Sequence, residues 1–384
     1  MSGVLFDARW VRPGMTGVGR YAYNLLRGTG IPRERCAVIL TWDCPQADDF
    51  AGFRIFRTGI DITAHPRSDL FEQFLLPWLC WRHGYNALVS FEGRVPVFHP
   101  GIRTYPIIYD MTFAQEKDSH SLKYRFFLGM HARLSRWFAT RVITISETVR
   151  KDLIVILGMR ESKVVVVYPA GSRLADHAPV PIPDLQGPFF LAVGITNTRK
   201  NLPAILAAFA IARSRTPGLR LAVSGTTSLI TAAAVATAFR QGMEAGSDTT
   251  AASQTPAEAV LNLGFVGEGQ LRWLYEHAAG LVFASRNEGF GIPLVDAAEF
   301  HCPLLCSDIP VFREVAGEAA EYFNPRDPAD IARAMASALA EPAEARSRAA
   351  RLQGRFSWDR SAKALTHLLG LNDLTDPIIP MRRT

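Results

Sequence analysis

Short runs of β-branched and apolar residues recur along the first half of the chain, at 4–6, 37–41, 87–90, 105–109, 142–145 and 164–167. Runs of this length and composition predict strands. Between them, the apolar spacing over 21–27, 122–139 and 147–157 predicts amphipathic helices. Strand and helix in alternation predict a parallel sheet covered on both faces. From 169 to 188 the pattern breaks into a proline-rich stretch with no periodicity, which reads as a linker. The rhythm then restarts. Strands are expected at 189–193, 219–224, 260–265, 281–284 and 303–307, and helices at 202–213, 232–239, 270–277, 293–300 and 329–340. Two successive units of similar size predict two doubly wound, Rossmann-like α/β domains, over 1–170 and 188–357, with a helix over 358–375 returning to the first. Small and polar residues over 243–257 predict a loop before the next strand.

Composition narrows this picture without redirecting it. The chain has 384 residues, with 48% hydrophobic and 20% charged residues, as in an ordinary folded protein. No run approaches about 18 apolar residues, the length a membrane-spanning helix needs. The opening residues carry Asp7 within a short apolar run, so no secretory leader is expected there. Five cysteines are scattered at 36, 44, 80, 302 and 306, which suits a reducing cytoplasm better than a disulfide framework. Cys302 and Cys306 lack neighbouring ligands and read as core thiols rather than a zinc site.

Net charge is +6 with a pI near 9.2, consistent with a phosphate-rich ligand, an anionic membrane or nucleic acid. The densest basic stretch, 123–141, interleaves Lys123, Arg125, Arg133, Arg136 and Arg141 with Tyr124, Phe126, Trp137 and Phe138. It reads either as an ordinary amphipathic surface helix or as a helix lying on anionic lipid. It matches no nucleic-acid-binding motif; a non-catalytic basic nucleic-acid-binding protein is the alternative from another class, but nucleic acid is not expected as a partner.

Five places fit chemistry at the carboxyl ends of strands. Glu288-Gly289-Phe290-Gly291 follows the strand at 281–284 and precedes a helix whose Pro293 suits its first turn. Its glycines let backbone N–H groups approach a ligand, and a helix start favours anions. Glu288 and Asp296 together offer acceptors for sugar hydroxyls; the alternative is a structural turn with Asp296 as a cap. Gly194 to Asn201 follows the strand at 189–193 and sets Arg199 beside Lys200, a pair suited to phosphate oxygens. Gly14, Gly17 and Gly19 form a glycine-rich turn after the first strand, which is not the dinucleotide fingerprint. Asp110 ends the strand at 105–109, where it serves a ligand or caps a turn. Ser146 reads as the N-cap of the helix after it. Asp-x-Asp, the P-loop and the G-x-S-x-G elbow are all missing from the sequence.

Taken together, these motifs resemble the retaining glycosyltransferases of family 4, which have the GT-B fold. The resemblance rests on the E-x7-E-type stretch from Glu288 to Asp296 within Ser285–Leu294. Ser307-Asp308, Arg313 to Gly317 and Phe323 to Pro325 also fit, as do the G-x4-R-K-N stretch at 194–201, Gly264-Phe265-Val266 and Thr16 to Tyr21. It spans about residues 3–370. It implies two facing Rossmann-like domains, with the active site in the cleft between them. The donor would be a nucleoside diphosphate sugar held by the second domain, and the acceptor a glycan or lipid-linked molecule held by the first. Glu288 would bind donor hydroxyls, helped by backbone N–H groups around Gly289, Phe290 and Gly291. Asp296 would hold the ribose. Arg199 and Lys200, with Gly194 and Asn201 in the same loop, would neutralise the diphosphate. Gly17 would lie near the phosphates, Phe265 and Val266 would line the base pocket, and Asp110 would sit near the reacting centre. No metal or other cofactor is implied. Two positions depart from the pattern: Asp296 stands where Glu is usual, and Tyr109 stands where many members have His before Asp110. A nucleotide-sugar epimerase of the same fold is the alternative enzyme, and would need no acceptor. The expected location is the cytoplasm, at the inner face of the membrane if the 123–141 helix lies on lipid.

Overall fold

The computed structural model describes residues 3–15, 17–60, 67–115, 122–183, 185–225, 231–246 and 256–371. Thr16 and most of the 243–257 segment lie outside them. The chain divides into two compact units, each built on its own parallel sheet. The first comprises the described residues of Met1–Ala114, Leu122–Pro169 and Ser357–Thr384, and the second those of Gln115–Ser121 and Ala170–Phe356.

The first unit contains β1 (Gly3–Asp7), β2 (Cys36–Thr41), β3 (Arg54–Thr58), β4 (Tyr85–Ser90), β5 (Arg103–Ile108), β6 (Val142–Thr144) and β7 (Val164–Val166). They form a seven-stranded sheet in the order β3-β2-β1-β4-β5-β6-β7, every pair parallel. The second unit contains β8 (Phe189–Ile195), β9 (Arg220–Gly225), β10 (Val260–Gly264), β11 (Gly280–Phe283), β12 (Leu304–Ser307) and β13 (Ala320–Phe323). Its six-stranded sheet runs β10-β9-β8-β11-β12-β13, again parallel throughout. In each unit the order reverses beside the first strand, between β1 and β4 and between β8 and β11. Loops leaving the carboxyl ends of such a pair diverge to opposite sides of the sheet and leave a crevice.

Central strands such as β1 and β2 are buried along their whole length, because helices cover both faces. Those strands carry the strongest sequence signal. The edge strand β3 keeps Arg54 and Arg57 exposed, and β13 is only half buried. Short, half-polar edges weaken the apolar run, and neither strand was expected from the sequence. Also unexpected were the helical run Arg67–Leu70, Phe71–Leu75 and Leu76–His83, whose middle segment is a π-turn, and the helices Pro310–Ala316 and Pro342–Ala350. The helix Ala232–Gly246 continues over 243–246, where a loop was expected.

Local signals explain several boundaries. Ser146 caps the helix Glu147–Leu157 by accepting from the Val149 N–H, and Gly158 ends that helix in the left-handed region. The second unit packs Phe190, Phe209, Leu221 and Val223 with Ile331 and Met335 in one core. In the first unit, the helix Trp358–Leu369 sets Trp358 edge-on to Tyr21, and Ser361 donates to the Tyr168 carbonyl at 2.5 Å. Gly370 closes that helix, earlier than the expected 375.

Candidate active site

Strands β8 and β11 are hydrogen-bonded neighbours, with Leu191 beside Leu281. Their carboxyl-end loops therefore start from adjacent positions, on either side of the crevice. The β8 loop carries Arg199 and Lys200 in a short 3-10 turn, Thr198–Lys200. The β11 loop carries Glu288. Lys200 Nζ lies 2.7 Å from Glu288 Oε1, and Arg199 Nη1 lies 2.9 Å from Glu288 Oε2. The side chains of Arg199, Lys200 and Glu288 are 14%, 11% and 11% exposed, so both cations flank the carboxylate just below the surface. Lys200 also sits 4.8 Å from the Phe283 ring centroid. Burial works to raise the Glu288 carboxyl. The charges of Lys200 and Arg199 outweigh it and hold Glu288 below the ordinary carboxylate value.

Backbone bonds tie the two loops. The Arg286 N–H donates to the Arg199 carbonyl at 3.1 Å, the Arg286 guanidinium to the Thr198 carbonyl at 3.1 Å, and the Arg199 guanidinium to the Asn287 carbonyl. Asn201 stands in the left-handed region at φ 60° and joins the 3-10 turn to the helix Leu202–Arg215. Its side-chain amide donates to the Pro325 carbonyl at 2.7 Å, so it holds the loop in place. Gly194 has φ +66°, and a Cβ there would come within 3.8 Å of Lys200 Nζ.

Past Gly289, Phe290 is buried and packs edge-on against Phe356, with ring centroids 5.0 Å apart. That anchor fixes the turn before the helix Ile292–Glu299. Gly291 is its N-cap at φ +108°, and a Cβ there would lie 3.0 Å from the Phe312 ring. Only glycine fits this corner without strain.

Asp296 is the fifth residue of the helix, past its first turn, so it is not the cap that was the alternative; Gly291 holds that position. Its buried carboxylate accepts from the Ser172 N–H at 2.5 Å and the Ser172 hydroxyl at 2.8 Å. Residue 172 belongs to the proline-rich stretch, so Asp296 fastens that stretch to the second unit. Phe265 follows β10 and is 80% exposed, a free aromatic face; Val266 beside it is half-buried.

In the first unit, Gly17 opens the helix Gly17–Arg27, and a Cβ there would meet nothing within 4 Å. Asp110 follows β5, and its Oδ1 accepts from the Thr112 N–H at 3.1 Å and the Thr112 hydroxyl at 2.7 Å. That is the local turn-capping arrangement. Tyr109 stacks edge-on to Tyr21 with centroids 5.5 Å apart, and its buried hydroxyl finds no partner among the described residues. Burial pushes that phenol well above its ordinary value.

A charged cluster that the sequence reading did not single out lies at the neighbouring ends of β1 and β4. Arg9 is fully buried and pairs with Asp7 at 2.7 Å and Glu72 at 3.0 Å. Arg94 pairs with Glu72 at 3.1 Å, Asp69 at 2.9 Å and Glu92 at 2.7 Å. Burial raises the Glu72 and Glu92 carboxyls above their ordinary values against the pull of Arg94. Charged residues at or just past strand ends, at 7, 9, 92 and 94, were the available signal. All five cysteines are buried and free. Among the described residues no cluster of three or more His, Cys, Asp or Glu side chains is arranged to hold a metal ion, and no helix is long and apolar enough to cross a membrane.

Comparison with known proteins bears on the second unit and on the fold. Residues 177–353 match the family model for Glycosyl transferases group 1, which covers most of the second unit. Serotype-specific mannosyltransferase WbdA of Escherichia coli is 51% identical over 67 residues, 17% of this chain and 8% of the relative. O-antigen chain mannosyltransferase RfbU of Salmonella typhimurium is 47% identical over 62 residues, 16% of this chain and 18% of the relative. The matched stretch thus spans less than a fifth of these relatives. Among solved structures, Anabaena HepE in complex with UDP and glucose superposes with a TM-score of 0.70 at 15% identity, covering 97% of this chain and 100% of that one. WaaG, a glycosyltransferase involved in lipopolysaccharide biosynthesis, gives a TM-score of 0.66 at 14% identity over 95% of this chain and 99% of that one. The architecture is therefore the GT-B fold of two Rossmann-like parallel-sheet domains, and the second unit is similar in sequence to group 1 glycosyl transferases.

Proposed function

We propose that the protein transfers a hexosyl group from a nucleoside diphosphate sugar to a glycan or lipid-linked acceptor, with retention at the anomeric carbon, in the assembly of a polysaccharide or glycolipid. The mannosyltransferase names of its relatives favour mannosyl transfer in O-antigen-like synthesis. One observation carries the reading. Arg199 and Lys200 from the β8 loop and Glu288 from the β11 loop converge at the switch point of the second sheet.

In this reading the diphosphate draws the two cations away from Glu288, and Glu288 turns to donor hydroxyls. Arg199, Lys200 and the start of the helix Ile292–Glu299 stabilise the departing diphosphate as charge builds on it. The leaving phosphate takes the acceptor proton. Phe265 stacks on the base, and the first unit, with Asp110, receives the acceptor. No metal is required. The enzyme works in the cytoplasm, with the basic helix Leu122–Phe138 resting on anionic lipid.

The test is thermal stabilisation by GDP-, UDP- and dTDP-linked sugars, with Lys200→Ala alongside. A hundredfold excess of ligand over Kd stabilises by about 2.7 kcal/mol. One base class should stabilise the wild type and fail on the variant. Stabilisation by none, or equally of both proteins, overturns the donor site. A transfer reaction abolished by EDTA overturns metal independence, and an inverted anomeric signal in the product overturns retention.

A further inference from the structure

The helical run Arg67–Leu70, Phe71–Leu75 and Leu76–His83 is apolar on two faces. Its inner face buries Phe71, Leu76 and Cys80 in a core with Leu5 and Leu88. Its outer face exposes Leu70, Phe74, Trp78 and Trp81. Their spacing of four, four and three sets them in one stripe along the helix. A helix covering a sheet ordinarily turns polar residues to water, so this stripe needs an occupant.

The stripe is braced from the loop after β4. Phe98 is 71% exposed, and its ring centroid lies 6.1 Å from that of Trp81. The Trp81 indole N–H donates to the Pro100 carbonyl at 3.0 Å. Gln73 donates to the Val95 carbonyl at 3.0 Å and accepts from the Val97 N–H at 2.9 Å. The aromatic rings therefore stand on a fixed loop. The same loop reaches the end of the helix Leu122–Phe138, because His99 spans the Ile102 carbonyl at 2.9 Å and the Phe138 carbonyl at 3.1 Å. There Trp137 and Phe138 are exposed as well. Beside the stripe, a groove of about 640 Å³ opens between Phe74 and Trp78 on one side and Ile60 on the other.

Charge selects the occupant. The residues of 67–83, 93–103 and 126–138 contain two acids, Asp69 and Glu72. Both are paired with Arg94, so neither offsets the cations outside. Arg67, Arg82, Arg133 and Arg136 face outward on these segments. A second copy of the chain would set this positive face against itself. Tryptophan and phenylalanine beside arginine suit the boundary between acyl chains and anionic headgroups.

We propose that this aromatic ridge, Phe74, Trp78, Trp81 and Phe98, inserts into the interface of an anionic bilayer. This deepens the membrane placement proposed above, which rested on the basic helix alone.

The experiment is co-sedimentation of the whole chain with vesicles of phosphatidylcholine alone or mixed with phosphatidylglycerol, with no donor or acceptor present. Quenching of tryptophan fluorescence by brominated lipid reports insertion. The wild type should bind the mixed vesicles and be quenched. Phe74→Gln with Trp78→Gln should bind at least tenfold more weakly and lose most of the quenching, with an unchanged melting temperature because both side chains are exposed. Arg133→Glu with Arg136→Glu should weaken binding and its salt dependence, yet keep the quenching at higher lipid. If the glutamine variant binds and is quenched like the wild type, the ridge proposal fails. If only the glutamate variant binds like the wild type, the basic-helix placement fails and the ridge stands. Equal binding to neutral vesicles removes the charge argument. A wild-type dimer that the glutamine variant disperses, without vesicle binding, assigns the ridge to self-association and overturns the proposal.

Discussion

Replacing Glu288 with Gln keeps the shape of the side chain and removes the charge that neutralises Arg199 and Lys200. Two opposite effects follow. The free protein loses two charge-assisted bonds, at 2.7 and 2.9 Å, and leaves two cations near the surface without their carboxylate. That costs about 1–3 kcal/mol of stability. A bare nucleoside diphosphate meets the reverse situation, because it no longer competes with Glu288. A unit charge about 6 Å away is worth about 3 kcal/mol at an effective dielectric of about 20. Partial exposure and salt reduce this to about 1–2 kcal/mol, or five- to thirtyfold in Kd. Calorimetric titration with a nucleoside diphosphate should therefore show tighter binding to Glu288→Gln than to wild type. The melting temperature should be lower and transfer from the sugar nucleotide slower. The gain should shrink as salt rises. Equal or weaker binding by the variant would refute the idea that Glu288 masks the diphosphate site. The pH dependence carries a sign as well. The Glu288 carboxyl is lowered from 4.5 in the folded state, so its stabilisation is fully present above that value and is lost as pH falls through the lowered one. The stability gap between wild type and Glu288→Gln should hold from pH 8 to about 5.5 and close only in stronger acid.

Three further outcomes separate structural from ligand-binding roles. Asp296→Ala should lower stability by about 1–3 kcal/mol without any ligand, since it strands the Ser172 N–H; Ser172→Ala should cost less, and a melting temperature unchanged by Asp296→Ala would contradict the fastening role. Phe265→Ala should leave the melting temperature unchanged while weakening nucleotide binding by about 1–2 kcal/mol, and unchanged affinity would remove Phe265 from the base site. Gly291→Ala forces an alanine to φ +108° with its Cβ 3.0 Å from Phe312; a loss of about 2 kcal/mol is expected, and a neutral effect by chemical denaturation would show that the corner relaxes.

Much of the fold is legible in the sequence. Strands buried on both faces must be apolar throughout, so β1, β2, β8 and β11 announce themselves. The edges β3 and β13 do not, because half of each strand meets water and its composition drifts toward that of a loop. The run at 67–83 hid for the opposite reason: apolar residues on both faces erase the 3.6-residue period that marks a helix. Within the site, Arg199, Lys200 and Glu288 were visible as charged residues just past strand ends. The partners of Asp296 and Asn201 were not, since Ser172 and Pro325 each lie 124 residues away along the chain.

The sequence by itself determined the βα rhythm, the glycine that turns the chain before Ile292, and the side-by-side cations at 199 and 200. These depend on φ, on side-chain chemistry and on neighbours within a few residues. Only the tertiary structure decided that Lys200 meets Glu288, 88 residues further on. Their strands are not consecutive. The chain leaves β8 toward one edge of the sheet, building β9 and β10, and then returns to lay β11 against the other side of β8. That return follows from burying two rows of helices on one twisted parallel sheet, and it brings the cations of one loop within reach of the carboxylate of the other.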